Sequence, residues 1–367
     1  MIETTMQKRI QAILDRSVSE GKERGVQFAA YLDGKLAVDA SSGIANPADG
    51  SKVDGSTLFP VFSTTKGIAA TVVHLLVERR LISYDTPIAD LWPEFGVRGK
   101  QLITLRQALN HSAGIPQMPG EIGFAEMCDW DTICKAVAGL PPLWEPGTRI
   151  EYHAMTYGWI VGEVARRVDG RSFAQLVDDE IKRPLGAEDL YVGIPDAVED
   201  RVAILEHPGC PIPDPHVTTP ESVPSWMGPL YGIMNRPDVR RACIPASSGI
   251  ASARSIALHY AALLPGGIDG LSLLPPDRIR IATQPQAPEK PAGDFEKNRG
   301  LGYGLGSEES FMGCRTIGFG HGGFGGSLGF AYPEARLAIG FTRNLFANAD
   351  ANTLPLVLNE FRTDKYV

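Results

Sequence analysis

The strand-like segments of this sequence lie near its two ends, with a long helical stretch between them. Near the N-terminus, residues 26–32 and 36–41 are strand-like, and Asp33-Gly34 between them is a strong hairpin signal. Four further strand-like runs follow near the C-terminus, at residues 302–305, 314–319, 327–332 and 337–344. Strands from both ends bury their apolar sides together when they share one sheet. The pattern therefore predicts an α+β fold with one antiparallel sheet built from both ends of the chain.

Helices are predicted for much of the remaining chain. The predicted helices cover residues 4–19, 63–79, 104–110, 124–139, 155–168, 172–181 and 251–264, with a closing helix within 348–362. We therefore expect residues 1–60 and 245–367 to form a lobe around the sheet with flanking helices, and residues 61–244 to form a mainly helical lobe. An active site would lie in the cleft between the two lobes.

Residues 194–245 interrupt this pattern with prolines and with aromatic side chains that include Trp226 and Tyr231. A long loop inside a compact domain often acts as a lid or binding loop. An ordinary surface insertion fits the same composition equally well. We expect the aromatic part of this loop, residues 220–235, to shape a substrate pocket.

Composition and charge indicate which kinds of partner and which cellular compartment to expect. The chain has 367 residues, enough for a large core, and a net charge of -8 without a block of Lys or Arg, which argues against nucleic acid. Residues 1–25 carry charges throughout, and no apolar run is long enough to span a bilayer. Five scattered cysteines lack C-x-x-C spacing, as expected for free thiols in a reducing cytoplasm. We expect a cytoplasmic protein without nucleic-acid or membrane partners, and the oligomeric state stays open.

Ser63 opens the helix predicted over residues 63–79, and Lys66 follows three positions later. Residues i and i+3 share a helix face, so Lys66 can reach the Ser63 hydroxyl. Free N–H groups at the helix N-terminus point toward whatever Ser63 attacks. Ser-x-x-Lys is a nucleophile signature in some acyl-transferring enzymes. Taken alone, four residues fit an N-cap serine before an exposed lysine better, so the motif needs support from the rest of the chain.

Tyr152 is a second candidate for chemistry. It precedes the helix predicted over 155–168, in a turn from which its phenol can enter a cleft. A phenol beside an amine can exchange one proton with it, which suits general acid and base work. The alternative for Tyr152 alone is a packed tyrosine whose hydroxyl is satisfied by a neighbour.

The glycine-rich run from Gly320 to Ser327 is a third candidate, and it contains His321 and Phe324. Glycines let a strand edge approach a ligand closely. A backbone N–H from this run would serve as an oxyanion donor opposite the N–H of Ser63. A flexible glycine hairpin with an exposed histidine is the alternative.

Two competing signals are weaker. Gly325-Gly-Ser327-Leu-Gly329 fits G-x-S-x-G, but glycines precede it, a hairpin follows it, and no histidine comes later in the chain. We therefore interpret Ser327 as a decoy. The seven histidines show no ligand-like pairing, and no G-x-G-x-x-G run opens a helix. We expect no metal and no cofactor.

With these residues in order, the chain resembles the serine β-lactamase/penicillin-binding-protein superfamily, and within it the class C β-lactamase-like branch that includes the family VIII carboxylesterases. Ser63-Thr-Thr-Lys66 matches the first motif, and Tyr152-His-Ala154, preceded by Pro146-Gly-Thr148, occupies the Tyr-x-Asn position. His321-Gly-Gly323 occupies the Lys-Thr-Gly position. Two further segments also match, at residues 105–116 and 247–254.

The resemblance implies a β-lactamase-like fold and a role for each motif. Ser63 would be acylated, Lys66 and Tyr152 would share the general-base and general-acid work, and the N–H groups of Ser63 and Phe324 would form the oxyanion hole. We expect the substrate to contact the following residues: His321, Gly322, Gly323, His153, Trp226 and Tyr231.

Two departures from the family pattern favour esters. Ala154 replaces an Asn that would hold the amide of a β-lactam, and His321 replaces a charged lysine that would attract its carboxylate. With an unperturbed pKa of about 6.5, His321 would be partly charged near pH 6–7. We therefore expect a carboxylesterase that acts on small, short-chain esters. The alternatives are a β-lactamase or D-amino-peptidase, an acyltransferase to a small-molecule hydroxyl, and a catalytically silent binding protein.

Overall fold

Both ends of the chain build one antiparallel sheet. The computed structural model describes residues 2–207, 209, 219–286, 298–306, 318–346 and 352–363. In these ranges the strands are β1 (Gly25–Leu32), β2 (Lys35–Asn46), β3 (Ser51–Lys52), β4 (Phe59–Phe62), β5 (Leu190–Val192), β6 (Gly249–Ala251), β7 (Gly304–Leu305), β8 (Phe319–Gly322), β9 (Leu328–Tyr332) and β10 (Leu337–Arg343). Seven of these described strands form the sheet β3-β2-β1-β10-β9-β8-β7. The predicted sheet is confirmed.

The register joins the two ends of the chain directly. Strand β1 pairs with β10 from Val26 opposite Arg343 to Leu32 opposite Leu337. The hairpin between β1 and β2 turns at Asp33 and Gly34, whose φ angles of 52° and 74° are the left-handed values that a two-residue turn requires. The strand predicted over 314–319 is described only from Gly318 onward, and its earlier residues, Cys314 among them, lie outside the described ranges.

Every predicted helix has a described counterpart, although the ends differ and five described helices, α3, α9, α10, α11 and α13, were not predicted. Described α-helices are α1 (Ile2–Ser19), α2 (Thr65–Glu78), α3 (Ile88–Leu91), α4 (Leu105–Leu109), α5 (Phe124–Cys128), α6 (Trp130–Ala138), α7 (Thr156–Asp169), α8 (Phe173–Val177), α9 (Arg183–Leu185), α10 (Leu230–Ile233), α11 (Pro237–Arg241), α12 (Ala253–Ala261), α13 (Pro276–Ala282) and α14 (Thr353–Thr363). The helix predicted over 124–139 is two helices, because the Asp129 side chain accepts a hydrogen bond from Thr132 N at 2.8 Å and caps α6.

A second, small sheet in the order β4-β6-β5 was not predicted. Its strands have three or four residues, too few for an alternating pattern to be recognised. This sheet matters for function, because β4 ends at Phe62 and delivers the chain to Ser63.

The sheet carries helices on both faces. On one face α1 and α14 cover a cluster that includes Phe28, Phe341 and Phe361. On the other face α12 packs so closely that a Cβ on Gly340 would lie 2.1 Å from the Ala253 carbonyl oxygen. A second, larger cluster continues from this face through the buried helix α2 to α7. The division into two lobes at residues 60 and 245 stays a prediction.

No described helix combines the length and apolar character that crossing a bilayer would require.

Candidate active site

Ser63 lies at the junction between β4 and α2, where the chain makes a sharp turn. The residue before it, Phe62, is buried and has a φ of 44°, a left-handed conformation that is uncommon for a bulky side chain. The turn is held by Thr65, whose hydroxyl donates to Phe62 O and accepts from Gly249 N at 2.9 Å. Helix α2 therefore begins at Thr65 rather than at Ser63, and the Ser63 side chain lines a cavity.

Lys66 is fully buried one helical turn below Ser63. Its Nζ lies 3.1 Å from Ser63 Oγ and donates to Ala154 O at 2.7 Å and to Ala246 O at 2.9 Å. Burial, with a smaller contribution from the positive charge of Arg299, holds the pKa of Lys66 well below its usual range. A lysine in this setting loses its proton more readily than a lysine in water, as a general base requires.

Tyr152 approaches the same hydroxyl from the other side. Its phenol is hydrogen-bonded to Ser63, and Lys66 Nζ lies 4.7 Å from the centre of its ring. Burial raises the pKa of Tyr152 to about 12, although the charge of Arg299 and the hydrogen bond to Ser63 oppose the rise. The phenol is therefore protonated at neutral pH and can donate a proton. The sequence-predicted residues Ser63, Lys66 and Tyr152 are thus brought together.

The glycine-rich run turns back from β8 against the loop that carries Ser63. A Cβ on Gly323 would lie 2.1 Å from Val61 O, so only glycine fits this approach. Ser63 and Phe324 line the same cavity, and within the described part of the chain neither of their N–H groups donates to a protein acceptor. Two free N–H groups at one cavity are the elements of an oxyanion hole.

Ser327 ties the two loops together. Its hydroxyl donates to Val61 O at 2.7 Å and lies 3.0 Å from the Thr64 hydroxyl. No helix follows it, since β9 begins at the next residue. A structural role as a tie between β4 and the glycine run agrees with its interpretation as a decoy.

His321 is buried beside Tyr152, with their rings stacked at 6.2 Å. Its Nδ1 donates to Gly322 O at 2.7 Å, which leaves Nε2 as an acceptor. Burial, followed by the charges of Arg299 and Lys66, holds the pKa of His321 well below its usual range. The expectation that this ring is partly charged near pH 6–7 is therefore corrected: the imidazole is neutral there.

Arg299 is a site residue that sequence reasoning missed. Its guanidinium carbon lies 5.2 Å from the centre of the Tyr152 ring, and its Nη1 lies 3.4 Å from His321 Nε2. Burial lowers the pKa of Arg299 to about 10, so it stays charged at neutral pH. In the sequence it is one arginine in a charged, proline- and glycine-rich loop, and no motif marks it.

The cavity at Ser63 has a volume of about 580 Å³, the size of a small-molecule site. From the predicted set, its lining includes Ser63, Tyr152, His321, Gly322, Gly323 and Phe324. Within the described residues, the lining does not include His153, Trp226 or Tyr231. The aromatic loop does reach the cavity, but through neighbours of those aromatic residues such as Met227 and Leu230.

The three predicted contact residues outside the lining have other partners. His153 is buried, accepts from Ile115 N at 2.9 Å and contacts Glu151 O through Nδ1, so it joins two turns of the backbone. Trp226 packs edge-on against Phe124, and Tyr231 packs against His207 and Phe346. The prediction that these three side chains contact the substrate stays a prediction.

The chain is similar to known proteins both in sequence and in fold. The sequence profile described as Beta-lactamase matches residues 7–360. The esterase/beta-lactamase LipL of Mycobacterium tuberculosis is 32% identical over 333 residues, which cover 87% of this chain and 77% of that protein. The crystal structure of a family VIII carboxylesterase superposes with a TM-score of 0.87 at 33% identity and covers 97% of each chain. A penicillin-binding protein homologue from Caulobacter crescentus gives 0.85 at 32% identity and 96% of each chain.

Proposed function

The chain belongs to the beta-lactamase family and is a serine hydrolase of esterase type, and on that premise we propose that it is a carboxylesterase working through an acyl-enzyme on Ser63. The observation that carries this proposal is the setting of Lys66. A neutral amine has two N–H bonds and one lone pair, and the carbonyls of Ala154 and Ala246 accept the two N–H bonds. The third neighbour of the nitrogen is Ser63 Oγ at 3.1 Å, and in the neutral amine the remaining lone pair would point toward it.

Acylation follows from this arrangement. Lys66 takes the proton as Ser63 Oγ attacks the ester carbonyl carbon, and the N–H groups of Ser63 and Phe324 stabilise the resulting oxyanion. The carbon–oxygen bond to the alcohol then breaks, and the phenol of Tyr152 supplies the proton that the departing alkoxide needs. The proton on Lys66 then returns to the Tyr152 phenolate, which restores both groups to their starting charge states. Water then attacks the acyl-enzyme by the same steps in reverse order.

Two features support esters over β-lactams as substrates. Ala154 contributes only a methyl side chain to the cavity, so no side-chain amide is present at that position to hold a lactam amide. His321 is neutral and so supplies no charge for a carboxylate. A β-lactamase, a D-amino-peptidase and an acyltransferase would use the same three residues, so product analysis must separate them from an esterase.

We expect an alkyl fluorophosphonate to label one residue, Ser63, and p-nitrophenyl ester turnover to exceed nitrocefin turnover clearly. Peptide mass spectrometry locates the adduct, and absorbance assays compare the two substrates at equal concentrations. Added small alcohols should leave the free acid as the main product. An adduct on another residue would refute the assignment of Ser63 as nucleophile. Nitrocefin turnover comparable to ester turnover would favour a β-lactamase. A new ester of the added alcohol as the main product would favour an acyltransferase.

A further inference from the structure

The cavity at Ser63 continues into an apolar chamber that the proposed mechanism does not use. We call it the methionine chamber and define it by Met127, Met155, Met227, Leu230, Met234 and Ile244, all of which line the cavity. Its four methionines come from α5, the residue before α7, the turn at 225–227 and the end of α10. Each of the four is at least 94% buried. Four methionines from four separate segments form one apolar wall.

Methionine walls accept apolar groups of varied shape. The side chain is unbranched, has three rotatable bonds and carries a polarisable sulfur, so it adjusts to what it contacts. An acetyl group fills little of a cavity of about 580 Å³. Each further methylene buried in the chamber favours binding by roughly fourfold, the ratio that corresponds to the usual transfer free energy of a buried CH₂.

The direction of the leaving group decides which part of the ester enters the chamber. The alkoxide must face the proton donor, Tyr152, which is flanked by His321 and Arg299. The polar side of the cavity is therefore the alcohol side. The acyl chain extends from the opposite side of the carbonyl carbon and would therefore enter the apolar side of the cavity, the methionine chamber.

Resting on the proposed function, we propose that the methionine chamber is an acyl subsite and that the substrates are esters of apolar acids with medium-length or bulky chains. The sequence-based expectation of short acyl groups took no account of the chamber, because its walls lie far apart in the chain. This subsite determines specificity and takes no part in bond making or breaking.

The test is the chain-length dependence of kcat/KM for p-nitrophenyl acetate, butyrate, hexanoate and octanoate. The wild-type protein should prefer hexanoate or octanoate to acetate by at least about tenfold, since two buried methylenes alone correspond to about sixteenfold. Met234→Trp, which fills the chamber, should remove that preference, so that the ratio of kcat/KM for octanoate to that for acetate falls to about one or below. Met118→Trp is the matched control, since Met118 is equally buried but does not line the cavity, and its ratio should stay as in the wild type.

A second measurement avoids reliance on a variant that folds poorly. In the wild-type protein, alkyl fluorophosphonates of two to eight carbons should label Ser63 faster as the chain lengthens. Preference for the shortest chain in both assays would overturn the acyl subsite while leaving the esterase proposal intact. An unchanged chain-length ratio in an active Met234→Trp would overturn it as well. Loss of all ester hydrolysis in the wild type would instead refute the proposed function.

Arg299 carries an independent inference, because its charge acts on both Lys66 and Tyr152 and its backbone is anchored next to the site. Its carbonyl accepts from Gln286 N at 2.8 Å, and it forms an antiparallel bridge with Gly304. The guanidinium lies over the Tyr152 ring, and its Nη1 lies 3.4 Å from His321 Nε2. It is 9% exposed, so water screens its charge weakly.

The other titratable groups around Lys66 and Tyr152 are uncharged at neutral pH. His111 and His321 both have pKa values held well below the usual range, chiefly by burial. Tyr157, whose ring centre lies 5.9 Å from Lys66 Nζ, has a raised pKa. Among the described groups that face the pair, Arg299 is therefore the one with a permanent charge.

We infer that Arg299 is a positioning residue that supplies the fixed positive charge beside Lys66 and Tyr152 and so sets the pH range of the reaction. A nearby cation opposes protonation of Lys66 and favours loss of the Tyr152 proton. Removing the cation raises the pKa of both groups. Both limbs of the pH profile should therefore move to higher pH.

The test compares Arg299→Met with Arg299→Lys in pH profiles of kcat/KM for an ester. Arg299→Met should lose on the order of tenfold activity at pH 6 and little near pH 9, while Arg299→Lys keeps the wild-type profile. Arg254→Met is the control, since Arg254 is exposed on α12 and pairs with Asp39. If Arg299 had a purely structural role, Arg299→Met would lower activity by the same factor at every pH. That result would overturn the inference about Arg299 and leave the assignment of Ser63 unaffected.

Discussion

Ser63→Ala should lower kcat for ester hydrolysis by on the order of 10³-fold or more, because no other described side chain at the cavity combines a hydroxyl with a neutral amine 3.1 Å away. Ser327→Ala should retain most of the activity and lose about 1–2 kcal/mol of stability, since its hydroxyl contacts Val61 O and Thr64 in the interior. The measurements are steady-state hydrolysis of a p-nitrophenyl ester and unfolding by denaturant.

The comparison of these two serines has its own control. Both variants remove one hydroxyl next to the same cavity, so a general disturbance of the loops would affect them alike. An active Ser63→Ala would contradict the proposed mechanism. If a folded Ser327→Ala were inactive at the same time, the nucleophile would be Ser327, the serine of the G-x-S-x-G motif.

Lys66→Met should have the second-largest effect, a loss of about 10²- to 10⁴-fold in the rate of acylation. The substitution keeps the length of the side chain but removes the base and leaves the carbonyls of Ala154 and Ala246 without their donor. Single-turnover acylation, followed by release of p-nitrophenol, measures the chemical step. The ascending limb of the pH profile, which reports deprotonation of Lys66, should disappear as well.

Lys100→Met separates the chemical effect from the cost of disrupting a buried lysine. Lys100 is as buried as Lys66 and likewise donates to backbone carbonyls, those of Val97, Ala138 and Leu140. It lies outside the cavity lining. Both variants should lose stability, but Lys100→Met should keep the acylation rate of its folded fraction. Equal acylation rates in the two variants would rule out Lys66 as the base.

Much of the fold was accessible from local sequence. The hairpin at Asp33-Gly34 and the helix that ends before Gly170, with a φ of 91°, follow from conformational preferences within a few residues. The spacing of Ser63 and Lys66 on one helix face also follows from local geometry. The small β4-β6-β5 sheet did not, because its paired strands are far apart in the sequence and are too short to show a period.

The residues predicted to contact the substrate also show that local sequence does not reveal contacts with distant segments. His153, Trp226 and Tyr231 were expected at the substrate because of their neighbours in the sequence. In the structure His153 contacts Ile115, Trp226 contacts Phe124 and Tyr231 contacts Phe346. None of the three is in the cavity lining of the described chain. Met227 and Met234, from the same loop, do line the cavity, although no sequence pattern around them indicated a contact with substrate.

The sequence by itself determined the α+β architecture, the family, and the three residues Ser63, Lys66 and Tyr152 as candidates, since each depends on periodicity or on motifs of a few residues. The tertiary structure alone decided their charge states and surroundings. The charge of Arg299, the carbonyl of Ala246 and the walls of the methionine chamber reach the site from distant segments. A pKa depends on burial and on charges nearby in space, and neither can be read from the order of residues along the chain.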